Sequence, residues 1–412
     1  MVNFKDEVLK LQGEVNSLVL YEDLIGDSVI KMILNLENRN KILKSLIDEA
    51  EEKGYTGDLW KNHIIGFIEE TKNPFSLAAE KGLVNKESSI YKLAILDFKH
   101  LINIYKFDIS NLFGEDEAFI LKNYNNCSIK NEGIYILQKI LESGNHTKIT
   151  EYFTKFYFEN GCGLLNKYKA FRYDEKLGLV GIKGKWEEKF EDLIGCKDQK
   201  NTLISNTKAF LQGKPANNAL LYGDRGTGKS SSVKALINEF GDKGLRLIEI
   251  NRHQLRCFSE VINIIKNRGL HFIIFMDDLS FENFETDYKY LKSVIEGGLE
   301  GRPDNVLIYA TSNRRHIIKE TWEDREGKYE EINNGEAIQE KLSLVDRFGL
   351  TIIYPSPNQN EYLDIVEGIA SKLDINMDME DIKKEALQWQ MWHNGRSGRT
   401  AKQFINNLLG RE

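Results

Sequence analysis

Gly223-Asp224-Arg225-Gly226-Thr227-Gly228-Lys229-Ser230 fits the pattern G-x-x-x-x-G-K-[ST] at every fixed position. The apolar run Ala219-Leu220-Leu221-Tyr222 precedes it, and Val233, Leu236, Ile237 and Phe240 follow at helical spacing. Strand, glycine loop and helix are therefore expected in that order. Glycines let successive backbone N–H groups turn inward with no Cβ in the way, and a helix N-terminus adds partial positive charge where phosphates would sit. Lys229 is expected to reach the β- and γ-phosphates of ATP and the Ser230 hydroxyl to ligate Mg²⁺, with Asp224, Arg225, Thr227 and Ser231 completing the cradle. The bland alternative is a glycine-rich turn that binds nothing; it leaves the match at all the fixed positions, in the right setting, unexplained.

The remaining composition sets bounds. A chain of 412 residues suggests two to three domains. Its 41% hydrophobic and 29% charged residues are those of a soluble globular protein. The net charge of -7 gives non-specific nucleic-acid binding no support in bulk, although a local basic face stays open. Cys127, Cys162, Cys196 and Cys257 form no C-x-x-C pair and are expected to be reduced core thiols. The opening Met1-Val2-Asn3-Phe4-Lys5-Asp6-Glu7 lacks the basic-then-apolar order of a signal peptide, and no apolar stretch is long enough for a membrane span. A cytoplasmic protein with no membrane partner is expected.

From Met1 to about Trp186 the pattern is helical, with Val8, Leu11, Val15 and Leu18 on one face and Leu43, Leu46, Ile47 and Ala50 on another. Lys53-Gly54, Lys72-Asn73-Pro74, Asn123 to Asn126 and Ser143-Gly144-Asn145 punctuate it as turns. The run Tyr152-Phe153-Thr154-Lys155-Phe156-Tyr157-Phe158 reads as core packing, with a stacking platform for single strands as the sharper alternative. No constellation in this half carries chemistry, which leaves recognition as its expected task. Gly178, Gly181 and Gly184 fall among charged residues and predict a linker or small hairpin, so the expected domains are 1–185, 186–354 and 355–412.

Beyond that boundary the chain resembles the AAA+ ATPase module. The lead-in Asp192-Leu193-Ile194-Gly195-Cys196-Lys197-Asp198-Gln199 stands where that family packs a segment over adenine, which implies Leu193 and Ile194 in the base pocket. Phe272-Ile273-Ile274-Phe275-Met276-Asp277-Asp278 reads as a strand buried on both faces with two carboxylates at its mouth. It resembles a Walker B element, implying that Asp277 holds Mg²⁺ through water and Asp278 orients or deprotonates the attacking water. Most AAA+ hydrolases have Glu at the second position, and Asp is one methylene shorter; the alternative is that Asp278 caps a turn.

Val306-Leu307-Ile308-Tyr309-Ala310-Thr311-Ser312-Asn313 resembles the sensor 1 strand, with Asn313 toward the γ-phosphate. Arg314 and Arg315 either serve a neighbouring subunit or solvate a loop, the second being favoured. The charged stretch from Lys319 to Lys341 reads as an exposed insertion. Arg347 in Asp346-Arg347-Phe348-Gly349-Leu350 resembles an arginine finger reaching a neighbour's ATP, for which its planar charged fork is suited. After Pro355-Ser356-Pro357 come two helical stripes, Tyr362, Ile365, Val366, Ile369, Leu373 and Ala401, Phe404, Ile405, Leu408, Leu409. Arg399 between them resembles sensor 2, with Arg396 as runner-up, and the alternative is a solvated basic helix end.

The resemblance spans roughly Glu187 to Leu409 and implies an α/β parallel sheet of about five strands flanked by helices, a C-terminal helical lid and right-handed crossovers. Pro215-Ala216-Asn217-Asn218, Asp277 to Phe281 and Ala310 to His316 are also similar to an uncharacterised bacterial branch of these ATPases. An ATPase that remodels, loads or switches a macromolecular partner held by the N-terminal helices, acting as a homo-oligomer, is the expected function. Its hydrolysis is expected to be slow or partner-stimulated. Asn251 to Glu260 contains no aromatic-apolar-Gly triplet, which ranks substrate threading below switching or loading. The competing expectation is a nucleotide-dependent scaffold with little or no turnover. A small-molecule kinase leaves the sensor, finger and lid positions unexplained.

Overall fold

The computed structural model describes residues 4–127, 133–184, 188–279, 303–313, 347–373, 375, 377–393 and 395–411. Trp186, Arg314, Arg315, the 319–341 stretch and Asp346 lie outside the described residues. The chain divides into two compact units, Met1–Lys167 and Tyr168–Glu412.

The first unit is helical, as the periodicity predicts. Its longer helices are α1 (Phe4–Asn16), α2 (Ser28–Leu34), α3 (Arg39–Lys53), α4 (Leu59–Glu70), α5 (Pro74–Glu80) and α6 (Ser89–Tyr105). They are followed by α7 (Glu115–Lys122), α8 (Gly133–Glu142), α9 (His146–Asn160) and the single turn α10 (Leu164–Lys167). The turns fall where the sequence places them, and each has a mechanism. Gly54 ends α3 in the left-handed region at φ 74°, and Asn145 caps α9 by accepting from the Lys148 N–H. Asn73 and Ser76 cap α5 reciprocally, with Pro74 in its first turn. The aromatic run is core: Phe153 and Tyr157 are buried, and Phe153 stacks on Phe98 with centroids 5.2 Å apart. Phe158 is exposed on the outer face of the same helix.

Two buried polar clusters fasten these helices. The Asp97 carboxylate of α6 accepts the backbone N–H groups of Val19, Leu20 and Tyr21, holding the chain that leaves α1. His63 of α4 lies between Glu49 of α3, 2.6 Å from Nδ1, and Asp27 at the α2 cap, 3.1 Å from Nε2. Burial opposes the charge of His63, but hydrogen bonds and attraction from the two carboxylates outweigh it and hold its pKa at about 9. Asp27 and Glu49 are likewise desolvated, yet bonding to His63 keeps both below the usual carboxylate range.

The second unit carries a seven-stranded sheet of order β2-β1-β4-β5-β6-β3-β7. The strands are β1 (Ala170–Asp174), β2 (Gly178–Gly181), β3 (Ala219–Gly223), β4 (Leu245–Glu249), β5 (His271–Met276), β6 (Val306–Ser312) and β7 (Leu350–Tyr354). Only β2 runs antiparallel, at the edge. Every residue of β6 and all but the first of β5 are buried, as their unbroken apolar runs require. Helices α11 (Lys197–Leu211), α12 (Lys229–Phe240) and α13 (Phe258–Ile265) belong to the same unit. Three C-terminal helices, Gln359–Ala370, Met379–Trp392 and Gly398–Leu409, form a lid with its own core around Tyr362, Val366, Ala386 and Phe404. A parallel sheet with the glycine loop at the end of an internal strand, followed by a helical lid, is the arrangement that the resemblance to the AAA+ module implies.

Several expectations change. The division expected near Trp186 falls at Lys167, because β1 pairs in parallel with β4 and brings the β1–β2 hairpin into the sheet, which has seven strands rather than about five. Leu373 lies beyond the first lid helix and is 41% exposed, so it drops out of the lid stripe. All four cysteines are free, but Cys127 is exposed and Cys196 and Cys257 are only half-buried, leaving Cys162 as the core thiol.

A pH dependence of the first unit follows from the His63 cluster. Because the folded pKa of about 9 lies above the ordinary 6.5, the stabilisation is complete below pH 6.5 and is lost as pH rises through 9. Its size is on the order of 3 kcal/mol. The carboxylate contribution acts oppositely, being lost as pH falls through the depressed values of Asp27 and Glu49. Proteolysis within 27–70 during urea titration is expected to show a midpoint that falls between pH 6.5 and pH 9, and much less so in His63→Gln.

Candidate nucleotide site

The site is built where β3 turns into α12. Gly223 has φ 142°, and a Cβ there would lie 1.9 Å from the Tyr354 carbonyl oxygen of β7. Gly226 has φ 76°, and a Cβ would come within 2.9 Å of both the Arg399 Cβ and the Ser397 Oγ of the lid. Gly228 precedes α12 at φ 96°. The loop thus takes a path that L side chains rarely adopt, pressed between a strand end and the lid. Thr227 Oγ1 donates to the Asp224 carbonyl at 2.8 Å, and Arg225 is exposed at the tip. Ser231 lies in the first turn of α12 and is half-buried.

Lys229 is buried, with its Nζ donating to the carbonyls of Gly223 at 2.8 Å and Asp224 at 2.6 Å. Burial lowers its pKa; the charges of Asp224, Asp278 and Asp277 oppose that shift, and Arg399 adds to it. An ammonium so desolvated, and held by neutral carbonyls, is suited to an anionic ligand. The Ser230 hydroxyl donates to Asp277 Oδ1 at 2.6 Å, bringing together the two residues expected to face Mg²⁺.

Asp278, at φ 52°, presents its carboxylate to Asn313, whose Nδ2 donates to Oδ1 at 2.5 Å. The side chain therefore meets the end of β6. Thr311 links both acids: its hydroxyl donates to Asp277 Oδ1 at 2.5 Å and accepts from the Asp278 N–H at 2.9 Å.

The lid closes one side. The Arg399 N–H donates to the Gly226 carbonyl at 3.3 Å, whereas Arg396 Nη2 reaches Gln359 Oε1 at 3.4 Å within the lid. Leu193 lies near Gly228, its Cδ2 3.9 Å from where a Cβ there would stand, and its carbonyl accepts from Lys200 Nζ at 2.6 Å. Ile194 abuts the first lid helix at Gly368, where a Cβ would fall 2.3 Å from its Cδ1. Lys372 of the lid pairs with Asp192, and Ser356 Oγ donates to Asp224 Oδ2 at 2.6 Å.

None of the contacts described above involves Arg347. It precedes β7, whose first residue Leu350 pairs with Ala219 at the start of β3, while Tyr354 pairs with Gly223 at its end. Four residues of strand separate the two levels, about 13 Å at some 3.3 Å per residue.

A family model described as "Protein of unknown function (DUF815)" matches residues 166–412. The chain belongs to this family. The match spans the second unit, including the β1–β2 hairpin. The replication factor C large subunits of Staphylothermus marinus and Aeropyrum pernix are each 35% identical to this chain over 80 residues, 19% of its length. Those stretches cover 18% and 16% of the two relatives, so the chain spans less than a fifth of the length of either. Among solved structures, the RuvB Holliday junction branch migration motor of Thermotoga maritima aligns at 12% identity and a TM-score of 0.33, covering 54% of this chain and 73% of that one. The ORC1 protein of Aeropyrum pernix in complex with DNA aligns at 15% identity and a TM-score of 0.38, covering 50% and 58%.

Sequence reading missed Thr311, Ser356, Ser397, Gly368 and Lys200 as parts of the site. For Thr311 a signal was available: it stands two residues before Asn313, near the end of a buried strand where a polar side chain needs a partner. The others act through lid and lead-in contacts that no local pattern announces.

Gly223→Ala tests the loop's packing. With both a positive φ and a backbone oxygen in the way, this variant is expected to lose about 3 kcal/mol or more of stability. Denaturant unfolding of the second unit measures it, and a loss below about 1 kcal/mol would contradict the close approach to Tyr354.

Proposed function

We propose that this chain is an ATPase that hydrolyses Mg-ATP to switch or load a macromolecular partner, and that the active form is a homo-oligomer. The observation carrying this reading is the meeting of loop and strand ends: Ser230 on Asp277, and Asn313 on Asp278, beside a buried Lys229. The residues fit the group, since the loop follows a positive-φ path at Gly223, Gly226 and Gly228 and Lys229 lies in it without a carboxylate bonded to its Nζ among the described contacts. Bound Mg-ATP would supply the phosphoryl group and the cation that neutralises its charge.

Residues 223–231 hold the phosphates, with Lys229 toward the β and γ positions. Ser230 and Asp277 face the cation, and Leu193 and Ile194 flank the base. Asp278 takes a proton from the attacking water at its second carboxylate oxygen while Asn313 holds Oδ1. Arg399 approaches the phosphates from the lid. Arg347, which enters β7 at the end that pairs with the start of β3, serves the site of a second copy. The first unit, with its own core outside the family match, holds the partner.

The shorter reach of Asp278 favours a second reading, a scaffold that binds ATP without appreciable turnover. Hydrolysis per subunit across a protein concentration series separates the two. A rate rising with concentration is expected, and a flat negligible rate with tight ATP binding favours the scaffold. Arg347→Ala is expected to keep ATP affinity and lose turnover by about 10³-fold or more, as fingers of this type contribute elsewhere. Turnover equal to wild type at all concentrations would sink the trans role. Lys229→Ala is expected to weaken ATP binding about tenfold or more, from the loss of charge-assisted hydrogen bonds. Equilibrium titration with a fluorescent ATP analogue reads this out.

A further inference from the structure

Asp277 Oδ1 carries three donors at once: Ser230 Oγ at 2.6 Å, Thr311 Oγ1 at 2.5 Å and the Asp278 N–H at 3.1 Å. Thr311 Oγ1 in turn accepts from the same Asp278 N–H at 2.9 Å, and the Thr311 carbonyl accepts from the Leu279 N–H at 2.7 Å. This residue, 1% exposed on β6, therefore fastens the whole turn that follows β5. Asp278 occupies the left-handed region at φ 52°, where its direction depends on what holds its own N–H and the next.

We propose that Thr311 is a positioning residue for Mg-ATP hydrolysis, holding the Asp277 carboxylate toward the cation and, through the Asp278 N–H, aiming Asp278 at the water. The proposal rests on the Mg-ATP reading of the site. A Ser230 oxygen that ligates the cation uses a lone pair and keeps its O–H for Asp277 Oδ1. Thr311 is the other side-chain donor to Oδ1 and does not itself face the cation, so the two hydroxyls fix Oδ1 and leave the second oxygen for the cation's water shell. A β-branched side chain suits this task, because its χ1 is restricted and its hydroxyl direction is set by the strand.

The test uses the full chain carrying Thr311→Val, which keeps the shape and removes the hydroxyl, with Thr311→Ala and Thr311→Ser beside it. Affinity for a fluorescent ATP analogue is measured in EDTA and across a Mg²⁺ series, together with turnover. In EDTA the Val and Ala variants are expected to match wild type within about twofold, while the Mg²⁺ needed for half-maximal affinity rises about tenfold, the scale of one charge-assisted hydrogen bond. Their kcat is expected to fall more than their KM rises, and Ser is expected to restore most of both. A wild-type Mg²⁺ response in the Val variant overturns the proposal while leaving the ATPase reading intact. Loss of EDTA affinity in both Val and Ala also overturns it, since the residue would then support the fold of the site in general. A wild-type chain without Mg²⁺-dependent affinity or turnover overturns the ATPase reading and the proposal with it.

Discussion

The Asp277 carboxylate stands exposed at the mouth of a sheet whose β5 strand is buried from its second residue onward, at the edge where the ends of parallel strands gather polar groups. It is satisfied from two directions, by Ser230 at the start of α12 and by Thr311 near the end of β6. That single shared acceptor ties the glycine loop to the two strand ends on which Asp278 and Asn313 sit. The parallel sheet makes the meeting unavoidable, because β3, β5 and β6 point the same way and deliver their C-terminal ends to one edge. The same constraint places Arg347 far from its own loop, since it enters β7 at the opposite end.

The lid is coupled to this edge through backbone rather than through charge alone. Gly226 lets Ser397 and Arg399 approach the loop, and Gly368 lets Ile194 lie against the first lid helix. Lys372 with Asp192 and Ser356 with Asp224 add polar ties at the periphery; such exposed pairs contribute at most about 1 kcal/mol each. Close approach of main chains is the stronger coupling, because interiors are close-packed and displacement of the lid must be felt at the glycine loop. The first unit is organised on a different principle, with buried ion clusters such as His63 with Asp27 and Glu49 joining three helices. Such clusters fix geometry at the cost of desolvation, and they carry a dependence on pH.

Local pattern alone was enough for the glycine loop, the buried runs of β5 and β6, the capped turns between the N-terminal helices and the amphipathic lid. Each follows from interactions within a few residues: positive φ at glycine, alternation or continuity of apolar residues, and caps for unpaired N–H groups. Tertiary structure decided the rest. The segment around Gly178 and Gly181 reads as a linker or a small hairpin, and only β4, which offers it an edge to pair with, decides that it is a hairpin within the sheet, because strand pairing is non-local. Thr311 looks like one more residue of a buried strand, and its role exists only because β5 ends beside it. The sequence ranks Arg399 ahead of Arg396, and the packing of the lid on Gly226 is what sets the Arg399 backbone against the loop while Arg396 reaches Gln359. The chemistry of the residues is written along the chain; which of them meet is settled by the sheet, since distance in space is fixed by register and packing rather than by spacing in sequence.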